Sequence, residues 1–207
     1  HSVIEGTLLQ WYKQTHQQDP QEQRGMGGDY WIWEYPDYSK NYMVVADVAR
    51  GDSSDYSTFH VIDAETVSQV AEYKGQISTN VATEWNNALL VIENANVGWA
   101  AIQVAIDREY RNLYYTYRND GVTDFDIAMD KGYDLKDKSQ MVPGFTTSAR
   151  TRPLLISKLD IYFREKECIV RSKRLLDELF VFIRNGSKAE AQQGYNDDLV
   201  MAFAIAL

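Results

Sequence analysis

Apolar positions along this chain gather into short runs, and several of those runs stop at an acid. Tyr42-Met43-Val44-Val45-Ala46 is closed by Asp47, Leu89-Leu90-Val91-Ile92 is closed by Glu93, and Asp197-Asp198 opens the last apolar run, Leu199 to Leu207. Consecutive apolar residues rich in Val and Ile predict strands buried on both faces, whereas a half-buried strand would alternate. Strands are accordingly expected over about Tyr42–Ala49, Ser57–Ile62 and Val67–Tyr73, joined by short connections that make them an antiparallel meander. After Ser78 or Thr79 as helix cap, a helix is expected to about Asn87, followed by a strand over Leu89–Ile92. An Ala-rich helix then runs from Gly98 to near Tyr110, and a strand spans Leu113–Tyr117. A meander followed by alternating helices and strands predicts a mixed sheet covered by helices, an α/β fold.

The flanks are less periodic. Residues 1 to 40 read as a lead-in. A short amphipathic helix is expected around Val3–Tyr12, a Gln- and Gly-rich connector from Gln14 to Gly28, and an edge strand at Trp31-Ile32-Trp33. Residues 119–147 are polar and punctuated by Gly121, Gly132, Pro143 and Gly144; long aperiodic stretches in compact domains are commonly functional or disordered. Beyond them, Pro153 marks a helix through Phe163, Cys168-Ile169-Val170 a short strand, and Ser172 the cap of a helix through Ile183. Lys188 to Gln193 reads as a polar loop, and the chain stops inside an apolar run, as a piece of a longer chain would.

Composition narrows the function classes. With 207 residues and 44% hydrophobic content, one domain with a real core is expected. The net charge of -9 excludes a uniformly basic nucleic-acid binder, but an acidic cluster loaded with divalent metal loses part of that charge. The single Cys168 excludes an intrachain disulfide and a multi-cysteine zinc site and fits a reducing compartment. No stretch approaches the roughly 18 apolar residues of a membrane span, so a soluble, intracellular protein is expected.

The acids carry the candidate chemistry. Hydrolysis of a phosphodiester requires an aimed water and a stabilised leaving oxygen, and two hard cations about 3.5–4 Å apart supply both. Such cations take oxygen ligands, often only one or two carboxylates each. Asp47 at the centre of the sheet suits a bridging ligand, with Glu93 and the Asp197-Asp198 pair as outer ligands. Taken singly, an acid after a strand is ordinarily a turn residue, and acids before a helix are ordinarily caps. The ordered set is what points to a nuclease.

The segments Val44-Val45-Ala46-Asp47-Val48-Ala49-Arg50-Gly51…Asp55, Val91-Ile92-Glu93-Asn94…Gly98 and Gly194-Tyr195-Asn196-Asp197-Asp198-Leu199-Val200-Met201-Ala202 resemble the nuclease domain of tailed-phage large terminase subunits. Gly144-Phe145-Thr146-Thr147, with Arg152-Pro153, is similar to a further signature of that family. The resemblance covers about residues 40–207 and is closest to the branch of contractile-tailed myoviruses. It implies an RNase H-like α/β fold over 41–207 and Mg²⁺- or Mn²⁺-dependent cutting of concatemeric double-stranded viral DNA. Asp47, Glu93 and Asp197 would be catalytic metal ligands, with Asp198 a further one. It also implies a portal protein, a small terminase subunit and a packaging ATPase as partners, in the host cytoplasm. No G-x-x-x-x-G-K-[ST] loop occurs here, so no motor activity is expected and residues 1–40 would be what remains of the link to it.

Arg50, Arg150, Arg152, Lys158, Arg171, Lys173 and Arg174 are the candidate DNA contacts, although such residues are ordinarily solvated or ion-paired. His60, mid-strand among apolar neighbours, and Cys168 are expected to be structural, and Asp55 to order its loop. Two rival readings are a junction-resolving nuclease of the same fold and a module that mainly docks on a portal or small terminase subunit.

Overall fold

A computed structural model describes residues 1–48, 57–75, 81–95, 98–117 and 141–207. Its centre is a six-stranded mixed sheet in the order β1 (Glu22–Arg24), β2 (Tyr30–Ile32), β5 (Ser68–Gly75), β4 (Ser57–Asp63), β3 (Tyr42–Asp47), β6 (Leu89–Ile92). The expected meander is β3–β4–β5, paired antiparallel, and β6 joins β3 in parallel with Ala46 opposite Ile92.

Side chains alternate between the faces of a strand, and each face has its own core. Met43, Val45, Ile62 and Val91 face helices α1 (Gly6–Thr15), α4 (Thr151–Arg164), α5 (Lys173–Val181) and α6 (Asp198–Ala206). Val44, Ala46, Phe59, Val61 and Ile92 face α2 (Val81–Glu84), α3 (Gly98–Asp107) and the aromatics Tyr30, Tyr42 and Trp85. Helix α6 is apolar nearly all round because seven of its nine residues are buried against the sheet and its neighbouring helices.

Residues 1–40, expected as a lead-in, are built into this body. Leu9 and Tyr12 of α1 are buried beside Phe163, and β1 and β2 extend the sheet past β5. The expected edge strand is therefore second from the edge, and the polar Glu22-Gln23-Arg24 within the expected connector forms the edge itself, where charged side chains are tolerated.

Smaller departures have local causes. The polar stretch from Lys188 is strand β10 (Lys188–Ala191), paired with β9 (Phe182–Asn185) across the two-residue turn Gly186-Ser187, in which Gly186 holds φ +61°. Cys168–Val170 contributes only a single bridge, Ile169 to Ser68. Tyr115–Tyr117 (β7) pairs with Met141–Pro143 (β8), while Leu113 bridges to Leu90 beside β6. The helix ending at Glu84 is stopped by Asn86 and Asn87, both left-handed; its expected start lies outside the described residues. Among the described residues, no helix is long and apolar enough to cross a membrane.

Candidate metal centre

Asp47 is the last residue of β3, and Glu93 follows the last residue of β6. Because the two strands are parallel and in register, the acids leave the sheet side by side, and Glu93 N donates to Ala46 O at 2.9 Å. Alternation puts Asp47 on the face of Met43 and Val45, and Glu93 on the face of Leu89 and Val91, beneath α6. The Glu93 side chain lies within hydrogen-bonding reach of the Asp47 carboxyl. Burial first, and then the neighbouring Glu93, pushes the Asp47 carboxyl up to about 8, with Asp198 and Asp197 adding to the effect. Asp47 therefore keeps its proton into the neutral range.

Two glycines fix Glu93 in place. A Cβ on Gly98 would fall 1.8 Å from the Glu93 carbonyl oxygen, so the start of α3 approaches this strand end only as glycine. Gly144, at φ +83°, has no room for a Cβ either, which would sit 2.5 Å from Ile92 O. Phe145 forms a parallel bridge to Glu93, and Asn94 Nδ2 donates to Thr146 Oγ1 at 2.9 Å and to Pro143 O at 3.2 Å. The Gly144–Thr147 motif is therefore the strip that lies along Glu93.

Asp197 and Asp198 arrive on α6. Thr58, opposite Asp47 on β4, donates its hydroxyl to Asp198 O at 3.2 Å, and His60 Nε2 meets Leu199 O at 2.8 Å. The helix start is thus sewn to the row of the sheet that holds Asp47. Asp197 occupies the N-cap position, but its side chain makes no capping hydrogen bond. Its Oδ2 instead accepts from Arg152 Nη2 at 2.6 Å, and that nitrogen also donates to Ala189 O at 3.1 Å. Sequence reading missed Glu178 of α5, whose Oε2 accepts from the backbone N–H groups of Leu199 at 3.0 Å and Val200 at 3.4 Å. Lys74 Nζ donates to its Oε1 at 2.6 Å. Burial pushes Glu178 up to about 7, against the pull of that ammonium.

All four expected ligands thus lie at one end of the sheet, the other three each within electrostatic reach of Asp47. Among the described residues, however, no three acidic, His or Cys side chains converge as a finished metal cage. The donor set nonetheless fits a hard divalent cation: carboxylates crowded so closely that one keeps its proton, with Arg152 neutralising Asp197 from the side.

The basic candidates divide. Arg152 belongs to the acid cluster itself. Arg171 is drawn inward to Glu34 at 2.6 Å and Gln69 O at 2.6 Å, and Arg174 is bound to the buried Glu72 at 2.7 Å while stacking on Trp31. Lys173 pairs with Asp177 one turn along its helix. Arg150 and Lys158 are exposed, and Arg50 and Asp55 lie outside the described residues. His60 is fully buried with Gln69 Nε2 on its other ring nitrogen at 3.1 Å, and burial lowers its pKa; it is a core residue. Cys168 is likewise buried, with its thiol pushed up to about 12.

No family model matches the chain. Solved structures do, and they place its fold with that of phage large terminase nucleases. With a TM-score of 0.68 and 20% identity, the chain is similar over 99% of its length to 95% of the large terminase nuclease from thermophilic phage G20c with bound magnesium. The cobalt-bound form of that nuclease gives a TM-score of 0.66 at 21% identity, with the same coverage. The nuclease domain of the Thermus phage P74-26 large terminase gives 0.60 at 19% identity, over 100% of this chain and 94% of that one.

Proposed function

We propose that this chain is a metal-dependent endonuclease of RNase H-like fold that cuts double-stranded viral DNA with little sequence preference during genome packaging. The observation that carries the reading is the contact between Asp47 and Glu93 at the ends of adjacent parallel strands, with the acidic start of α6 above them. The magnesium- and cobalt-bound neighbours of the same fold support it.

Asp47, Glu93, Asp197 and Asp198 would hold the metal, two Mg²⁺ or Mn²⁺ ions being the expectation. When bound, divalent metal supplies Lewis-acid stabilisation of the phosphoryl oxygens and lowers the pKa of an attacking water. The chain's own part is to fix the ligands. Asp47 ends a strand held between two neighbours and is itself paired with Thr58, so it is the rigid member, and its proton must leave as cations enter. Arg152 balances Asp197 and lies where a phosphate could replace a carboxylate as its partner. Arg150 and Lys158, exposed on and before α4, are the remaining basic candidates for phosphate contact.

The same reading assigns a packaging ATPase domain, a portal protein and a small terminase subunit as partners, the host cytoplasm as setting, and the contractile-tailed branch as its place in the family. Nicking and linearisation of supercoiled plasmid in Mg²⁺, Mn²⁺ and EDTA, with Asp47→Asn in parallel, tests it. Cutting that requires metal and disappears in the variant is expected; equal cutting by the variant would remove Asp47 from the site.

A further inference from the structure

We infer that Glu178 is a positioning residue for the metal centre, and that it works by taking over the helix cap that Asp197 would otherwise form. The inference rests on the proposed metal-ligand role of Asp197 and Asp198. The first N–H groups of a helix have no partner within it, and the N-cap side chain ordinarily accepts from the second or third of them. In α6 those groups are Leu199 N and Val200 N, and Glu178 Oε2 takes both, at 3.0 and 3.4 Å. Asp197 sits at the N-cap with its side chain uninvolved, turned instead to Arg152. An aspartate at a helix N-terminus is thereby released from the task its position implies.

Glu178 is suited to the substitution. It is 8% exposed, so water competes little for its oxygens, and Lys74 holds its second oxygen at 2.6 Å. Lys74 pairs with Thr58 across the sheet, and Thr58 pairs with Asp47, so these three residues form one row. From that row, Lys74 fixes Glu178 and Thr58 fixes the Asp198 carbonyl. The height and rotation of the α6 start over Asp47 are set by these contacts. Removing the Glu178 carboxylate leaves Leu199 N and Val200 N to recruit Asp197, which takes a ligand from the metal.

The test is calorimetric titration of Mn²⁺ into the folded protein at neutral pH, together with plasmid cutting against Mn²⁺ concentration, for wild type, Glu178→Ala and Glu178→Gln. Outer-sphere partners of metal ligands are worth about 10–100-fold in affinity, so Glu178→Ala is expected to raise the Mn²⁺ dissociation constant and half-saturation about 10-fold. Glu178→Gln, whose carbonyl still accepts from the amides, should lose less. The rate at saturating Mn²⁺ should fall less than the half-saturation rises; a purely structural role would lower the melting temperature and the amplitude without moving half-saturation. If Glu178→Ala does not fold, Glu178→Met, which fills the same space but cannot cap the amides, decides by the same shift in half-saturation. Wild-type affinity in both variants would overturn the positioning role and leave the nuclease reading standing. A wild type that binds no Mn²⁺ would overturn both.

Discussion

The two faces of the central sheet do opposite work with the same strands. Under α6 the sheet presents Asp47, Thr58, His60 and Glu72, and every one of these polar groups is answered by a specific partner or by another acid. The other face presents Val44, Ala46, Phe59 and Ile92 to α2 and α3, and leaves an apolar recess of about 120 Å³ lined also by Ala101, Ala105 and Tyr110. A buried polar group is costly unless it is paired, so the first face tolerates only a narrow set of arrangements and specifies one geometry. Apolar contacts are nondirectional, so the second face can be imperfectly filled. Precision is concentrated where the chemistry is proposed.

The comparison can be broken most sharply at the acids. Asp47→Asn and Glu93→Gln should each lower metal-dependent cutting by more than about 100-fold while keeping, or raising, the melting temperature in EDTA, since each relieves the crowding of two half-buried carboxyls. A plasmid assay alongside thermal melts checks both halves. On the other face the outcome should invert. Trp85 is fully buried and donates its indole N–H to Tyr30 at 2.7 Å, so Trp85→Ala is expected to cost about 3–5 kcal/mol in denaturant unfolding. The protein that remains folded should bind Mn²⁺ with wild-type affinity.

A pH series sharpens the contrast. Asp47 is held near 8 in the fold, above its ordinary value of 3.8, so the fold binds the extra proton. That contribution is present below about pH 4 and is lost as pH rises through about 8. In EDTA the melting temperature should therefore fall between about pH 4 and 8 and level off above, and Asp47→Asn should flatten the slope. A slope unchanged in the variant would place the titrating group elsewhere. The smallest effect is expected from filling the recess. Ala101→Leu should stabilise by about 0.5–1 kcal/mol with no change in cutting; reduced cutting would mean the two faces are coupled.

Much of the candidate site's placement is legible in the sequence. Runs such as Tyr42–Ala46 and Leu89–Ile92 define buried strands by local pattern alone, and the first acid after each must stand where its strand leaves the core. The Ser172 cap, which accepts from Leu175 N at 3.2 Å, and the buried apolar run of α6 are equally local. The place of residues 1–40 was not legible, because polar Glu22-Gln23-Arg24 becomes a strand only when β2 offers it an edge. Nor was Glu178, one of two adjacent acids on an amphipathic helix, distinguishable from Asp177, which pairs at the surface with Lys173.

Sequence alone determined the apolar elements at the centre of the sheet and the acids that end them, because strand burial, capping and turn chemistry act over a few residues. Only the tertiary structure decided which acids meet and which are diverted. Glu178 reaches Lys74 across 104 positions and Arg152 reaches Asp197 across 45, and pairings between such distant residues are chosen by how the helices pack on the sheet.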